Sequence, residues 1–282
     1  MTPRRPRSGR APTRSRAPAR RRRPTRSSRR NRQEATIDPF ELIPAIDLLD
    51  GRCVRLTQGR YDAATVYGED PAAVAAEFAT HALRRLHVVD LDGAKSGLPA
   101  NAAAVRGIVA RAGDIPVQLG GGIRSADAVA SALDLGVDRV ILGTVALHDP
   151  DLVRQAAARF PGRIVVGLDA RDGRVAVEGW LEASDALAVD VARRFEDAGV
   201  AAIVYTDIAR DGMLTGPNFE ATAELADAVA IPVILSGGVG SEADVVRAAT
   251  YAPRGVTGAI VGRAIYTGAV DIARTLRMLA CS

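Results

Sequence analysis

The chain has 282 residues, 48% of them hydrophobic, with a formal charge of +4; the length admits one large barrel or two small domains, and the apolar share is enough for a core. Two cysteines, Cys53 and Cys281, without metal-like spacing exclude a disulfide framework and suit a reducing, cytoplasmic setting, and no apolar run approaches membrane-spanning length. Charge is unevenly spread: 14 of the 37 basic residues lie in Met1 to Ala35, where Glu34 is the only acid, so the rest of the chain holds 23 basic against 32 acidic residues and the basic balance belongs to the tail.

In chain order, residues 1–38 read as a disordered Arg-, Pro- and Ser-rich tail and residues 39–282 as a catalytic barrel domain. The tail has no Leu, Ile, Val or aromatic residue before Ile37, so it cannot bury apolar area to offset chain entropy. Its first reading is an inert extension or a misassigned start. A targeting leader and a polyanion-binding arm are the alternatives, and a nucleic-acid partner is not expected beyond this tail. An inactive barrel whose tail docks on nucleic acid is the reading from another class; intact aspartates at the strand ends argue against it.

From Glu41 onward, short Val- and Ile-rich runs alternate with longer Ala-rich amphipathic stretches, the pattern of βα units around a parallel sheet. Strands are expected to begin near Glu41, Leu86, Ile115, Arg139, Arg163, Ala201, Ile231 and Thr257. Helices are expected near Pro71, Asn101, Ser125, Pro150, Ser184, Asn218, Ser241 and Gly268, several opening on a Ser, Asn or Asp-Pro cap. Eight units in this length match a (β/α)8 TIM barrel. The segment IPVQLGGGIRS (Ile115 to Ser125) returns as IPVILSGGVGS (Ile231 to Ser241), and IPAIDLLDGR (Ile43 to Arg52) aligns on VVGLDARDGR (Val165 to Arg174). A twofold half-barrel duplication follows, which weighs against a doubly wound open sheet.

In such a barrel the site lies at the C-terminal ends of the strands. Gly120-Gly121-Gly122 ends the third strand and Gly143-Thr144 the fourth; Gly237-Gly238 ends the seventh and Gly262-Arg263 the eighth. Glycine there lets backbone N–H groups and a helix N-terminus approach a phosphate, so two matched sets predict a small-molecule bisphosphate substrate. Asp47 and Asp169 end the first and fifth strands, on opposite sides of the mouth. Thr206 ends the sixth, with Asp211 on its loop, and Asp90 is taken as the first-half counterpart of Thr206. Asp92 and Asp207 read as site or loop-fixing residues. The histidines make poor catalytic candidates: His81 falls in a helix, His87 at the wrong end of a strand, His148 just before a helix start. No metal-ligand spacing or cofactor motif occurs, so no metal and no cofactor are expected and acid–base work falls to aspartates. Trp180, the sole tryptophan, lies beyond the fifth strand, either stacking on a planar ligand or anchoring its loop.

The motifs LIPAIDLLDGRCVRLTQGRYD, HVVDLDGAKSG, VQLGGGIRS, ILGTVAL, GLDARDG, VEGW, YTDIARDGMLTGPN, SGGV and IVGRAIY together closely resemble the phosphoribosylformimino-aminoimidazole carboxamide ribotide isomerases of histidine biosynthesis. The resemblance covers about Glu41 to Leu279. It implies an Amadori rearrangement of an aminoaldose to an aminoketose without cofactor or metal, with Asp47 as general base, Asp169 as general acid, Thr206 in support and Asp211 as a rival for the acid. The cyclase of the next pathway step typically carries lysines near the first strand, whereas Lys95 is the only lysine here. A bifunctional relative also accepting phosphoribosylanthranilate resembles the chain at Arg55 and Trp180, but it usually has arginine where this chain has Glu178, a carboxylate that would repel anthranilate. Barrels of this kind can function as monomers, and no exposed apolar stripe demands a partner.

Overall fold

The computed structural model describes residues 39–57, 59–177, 180 and 182–281, so the tail and Glu178 lie outside the described residues. The unit Ile37–Ser282 begins with β1 (Glu41–Leu49), which turns into an antiparallel hairpin, β2 (Arg52–Thr57) and β3 (Arg60–Gly68). Next come α1 (Pro71–Phe78), β4 (Leu86–Asp90), α2 (Leu91–Ser96), α3 (Ala102–Ala112), β5 (Val117–Gly120), α4 (Ala126–Asp134), β6 (Arg139–Leu142), α5 (Thr144–His148) and α6 (Pro150–Arg159). The second half repeats the plan: β7 (Ile164–Arg171), the hairpin β8 (Arg174–Val177) and β9 (Glu182–Leu187), then α7 (Ala188–Arg193) and β10 (Ala202–Asp207). It closes with α8 (Phe219–Ala228), β11 (Val233–Ser236), α9 (Glu242–Ala249), β12 (Val256–Val261), α10 (Arg263–Tyr266) and α11 (Ile272–Ala280).

β1, β4, β5, β6, β7, β10, β11 and β12 pair in parallel, and β12 against β1 completes the ring. This is the expected (β/α)8 barrel. The duplication extends to backbone detail: Asp50-Gly51 turns β1 into β2 with φ of 50° and 74°, and Asp172-Gly173 turns β7 into β8 with 51° and 75°. Caps follow the sequence at Asp70, Ser125, Asp149, Asn218 and Ser241, whose side chains accept from backbone N–H groups of the first helical turn.

Two helix starts differ from expectation. Ser184 lies within β9, where its hydroxyl donates to the Val175 carbonyl across the β8–β9 hairpin, and α7 starts at Ala188. The last helix starts at Ile272 because Asp271, not the stretch after Gly268, accepts from the Arg274 N–H. A third correction concerns the repeat. Asp47 stands beside Val89 in the β1–β4 pairing and Asp169 beside Thr206 in the β7–β10 pairing, so Val89 is the counterpart of Thr206 and Asp90 that of Asp207. Asp90 accepts from the Gly93, Ala100 and Asn101 N–H groups, and Asp207 from the Ala209 N–H and Asn218 Nδ2. Both hold loops at the rim.

Alternation sorts each strand. Leu86 and Val88, Val117 and Leu119, Ile203 and Tyr205 face the helices in the outer core, while Ile43, Ala45, Ile141, Val165, Ala202, Val204, Ile234 and Ile260 fill the barrel interior. At the rim, Gly121 (φ 106°) and Gly237 (φ 89°) press on the backbones of Asp90 and Asp207, leaving no room for a Cβ. Gly121→Ala combines that collision with a left-handed backbone and is expected to cost on the order of 2–4 kcal/mol. Gly51→Ala, also at positive φ but with open space around it, is the control in thermal unfolding; equal losses would show that φ alone matters.

Candidate active site

At the C-terminal ends of the barrel strands lies a cavity of about 240 Å³. Asp47, Arg55, Gly121, Gly122, Gly143, Thr144, Asp169, Trp180, Thr206, Asp211, Gly237, Gly238, Gly262 and Arg263 all line it. The topology thus gathers these nominated residues, whereas Asp92 fixes a loop outside the cavity lining, accepting from the Asp50 N–H and Asn101 Nδ2. The topology adds Tyr61 from the first hairpin, Leu214 from the loop after β10, Ser236, and His87. The alternation of LHVVD was enough to find His87: it begins β4 as expected, but Leu86 and Val88 face the helices, so His87 points inward and lines the cavity.

Three carboxyls converge on the cavity. Asp47, at the mouth end of β1, forms an ion pair with Arg55 of β2, Nη1 to Oδ2 at 2.7 Å. Burial pushes its carboxyl up from the ordinary value and Arg55 opposes this. Across the mouth, Asp169 of β7 accepts from the Trp180 indole N–H at 2.8 Å. Burial also raises Asp169, while hydrogen bonds from Trp180 and Thr206 hold it toward the carboxylate. Asp211 sits in the turn after β10, its N–H bonded to the Asp207 carbonyl. Burial pushes its carboxyl up to about 6; Arg55 and the Gly212 N–H lower it, and Asp47 and Asp169 add repulsion.

The two hairpins meet at the cavity wall. Trp180, at φ 73°, lays its ring against Gly59, where any side chain would enter the indole. Trp180 therefore anchors its loop and faces the site at once. Trp180→Phe keeps an aromatic surface for Gly59 but loses the donor to Asp169, and kcat/KM is expected to fall roughly tenfold. Unchanged kinetics would remove the indole N–H from the machinery.

The glycine cradles also match. Gly143 before α5 has φ −94°, ψ −101°, and Gly262 before α10 has φ −104°, ψ −99°. The Arg55 guanidinium packs on Gly262 so closely that a Cβ there would displace it. Arg263 donates to the Gly212 carbonyl at 2.7 Å, tying the eighth-strand cradle to the Asp211 loop. Such cradles, each beside a helix N-terminus, suit two anionic groups held apart across the mouth. Among the described residues no three His, Cys, Asp or Glu side chains group as a metal ion would require.

A family model described as "Histidine biosynthesis protein" matches residues 41–271. The chain belongs to this family. Its relatives include a protein of Xanthobacter autotrophicus, 60% identical over 239 residues, covering 85% of this chain and 97% of the relative. A Rhodospirillum rubrum protein is 59% identical over 239 residues, covering 85% and 99%, and one from Synechococcus is 58% identical over 239 residues, covering 85% and 93%. All three are named 1-(5-phosphoribosyl)-5-((5-phosphoribosylamino)methylideneamino)imidazole-4-carboxamide isomerase. The family match at residues 41–271 spans the barrel strands, and the name of these relatives contains two phosphoribosyl groups.

Proposed function

We propose that the chain is the isomerase of histidine biosynthesis that converts the phosphoribosylformimino-aminoimidazole carboxamide ribotide aminoaldose to its aminoketose. The observation that carries the reading is the single cavity in which three carboxyls stand between two matched glycine cradles. An Amadori rearrangement opens the ribose by protonating its ring oxygen, removes the proton at C2 of the resulting imine, and returns a proton at C1 as the C2 hydroxyl becomes the ketone. It needs an acid and a base on one sugar. Holding both phosphates would fix that sugar between them, converting binding energy into orientation.

In this reading Asp47 is the general base, and the Arg55 guanidinium steadies its carboxylate until substrate arrives. Asp211 is the acid. A carboxyl pushed up to about 6 stays partly protonated near neutrality, whereas at Asp169 burial also raises the carboxyl but hydrogen bonds from Trp180 and Thr206 oppose the rise, and Asp169 acts as an electrostatic stabiliser of the cationic imine. Thr206 supports Asp169. Gly121, Gly122, Gly143 and Thr144 take one phosphate; Gly237, Gly238, Gly262 and Arg263 take the other.

Among the described residues no helix is long and apolar enough to cross a membrane. The exposed large hydrophobics Val66, Leu98, Leu187, Met213 and Met278 lie on different strands, helices and loops, which supports a monomer. A dual isomerase gains no support from relatives named for one activity. The test is ketose formation by the purified chain from the aminoaldose and, in parallel, from phosphoribosylanthranilate. Turnover of the first alone is expected; no turnover of it would overturn the reading.

A further inference from the structure

The interior of the barrel is apolar except along one side. His87 of β4 and Gln118 of β5 are register partners, both buried, and the Gln118 amide Nε2 lies 3.0 Å from His87 Nδ1. In the second half the corresponding register pair is Val204 and Ile234, which belong to the apolar interior cluster. The barrel therefore closes equally well with hydrocarbon in these places. A buried amide and imidazole cost desolvation that a valine and an isoleucine do not, and only the half that carries Asp47 has them.

The surroundings orient the pair. β6 alternates so that Arg139 shares the interior face of Ile141, and Arg139 is the register partner of Gln118. Arg139 Nε, which lies 3.6 Å from Asp138 Oδ2, and Gln118 Oε1 are both buried without a hydrogen-bond partner. A guanidinium only donates, so the amide oxygen belongs on the Arg139 side and the amide NH2 on the His87 side. Nδ1 then accepts from Gln118, which places the ring proton on Nε2. His87 lines the cavity floor beneath the carboxyls. Burial and the positive charge of Arg55 push its pKa down to about 3, so the ring is neutral at working pH.

The geometry points to Gln118 as a positioning residue that locks His87 in its Nε2–H form, so that the neutral imidazole presents a hydrogen-bond donor, and never an acceptor, to a hydroxyl or ring oxygen of the bound sugar. This rests on the isomerase reading for the identity of the sugar; the locked tautomer itself does not.

Two measurements separate those failures. The first is the nitrogen NMR spectrum of the full chain with 15N-labelled histidine, without ligand: His87 is expected as a single neutral tautomer with Nε2 protonated, and Nδ1–H or a mixture would overturn the proposal whatever the activity. The second is kinetic. Gln118→Met keeps length and volume but loses the amide, and is expected to give mixed tautomers with a kcat/KM loss of roughly tenfold. His87→Gln, whose amide NH2 reaches about as far as Nε2, should retain most of the activity when combined with Gln118→Met, whereas His87→Leu should not. Mixed tautomers with undiminished kcat/KM would refute the positioning role, and absence of turnover in the native chain would instead refute the isomerase reading while leaving the tautomer result standing.

Discussion

Asp47→Asn is expected to lower kcat for the aminoaldose by roughly 10³-fold, within the 10²–10⁴ that a positioned base contributes. The amide keeps the shape and can still contact Arg55, but it cannot take the C2 proton. Because Arg55 is at least as buried as Asp47, the variant leaves a cation with less compensation, and some thermal stability should go with the activity. Asp211 lies near enough to raise the Arg55 pKa alongside Asp47, so the loss should stop short of unfolding. The measurement is steady-state kinetics beside a melting curve. A kcat within tenfold of the native value in a folded variant would displace Asp47 as the base.

The second large effect divides Asp211 from Asp169. If Asp211 is the acid, activity requires its proton, so kcat/KM should decline as pH rises through about 6. Asp211→Asn should abolish that limb and lower kcat by roughly 10²-fold or more. Asp169→Asn should also reduce the rate, yet keep the limb. The opposite pattern, with the limb surviving only in Asp211→Asn, would assign the acid to Asp169.

Stability provides an independent readout of the same carboxyl. The Asp211 pKa is about 6 in the folded chain against an ordinary 3.8, so the folded state binds the proton more tightly. That contribution is complete below about 3.8 and is lost as pH rises through 6. Asp211→Asn is therefore expected to melt a few degrees higher than the native chain at pH 8, on the order of 1 kcal/mol, with the gap vanishing toward pH 4. A catalytic group that costs stability at working pH is the usual mark of a site.

Much of this was legible along the chain. Period-2 runs alternating with capped helices specify eight βα units, because alternation and capping are local properties. The duplication was visible wherever the backbone has no freedom to drift: the Asp-Gly turns at Asp50 and Asp172 and the rim glycines at Gly121 and Gly237. The strand-end rule then nominated the residues that line the cavity. Where the reading slipped, one residue of register was decisive. Asp90 was set against Thr206 because both close an apolar run, but pairing across β4 and β5 puts Val89 there. His87 was set aside because strand position was judged without the face it presents.

The sequence by itself determined the architecture and the twofold repeat, and it marked the strand-end glycines and the three aspartates that line one cavity, since each depends on spacing along the chain. Only the tertiary structure decided how the aspartates differ. Arg55 comes from a hairpin to pair with Asp47, Trp180 reaches from the opposite hairpin to Asp169, and burial pushes the Asp211 carboxyl up to about 6. Desolvation and Coulomb energy depend on distances through space and on what excludes water, and those quantities exist only once the ring of strands has closed.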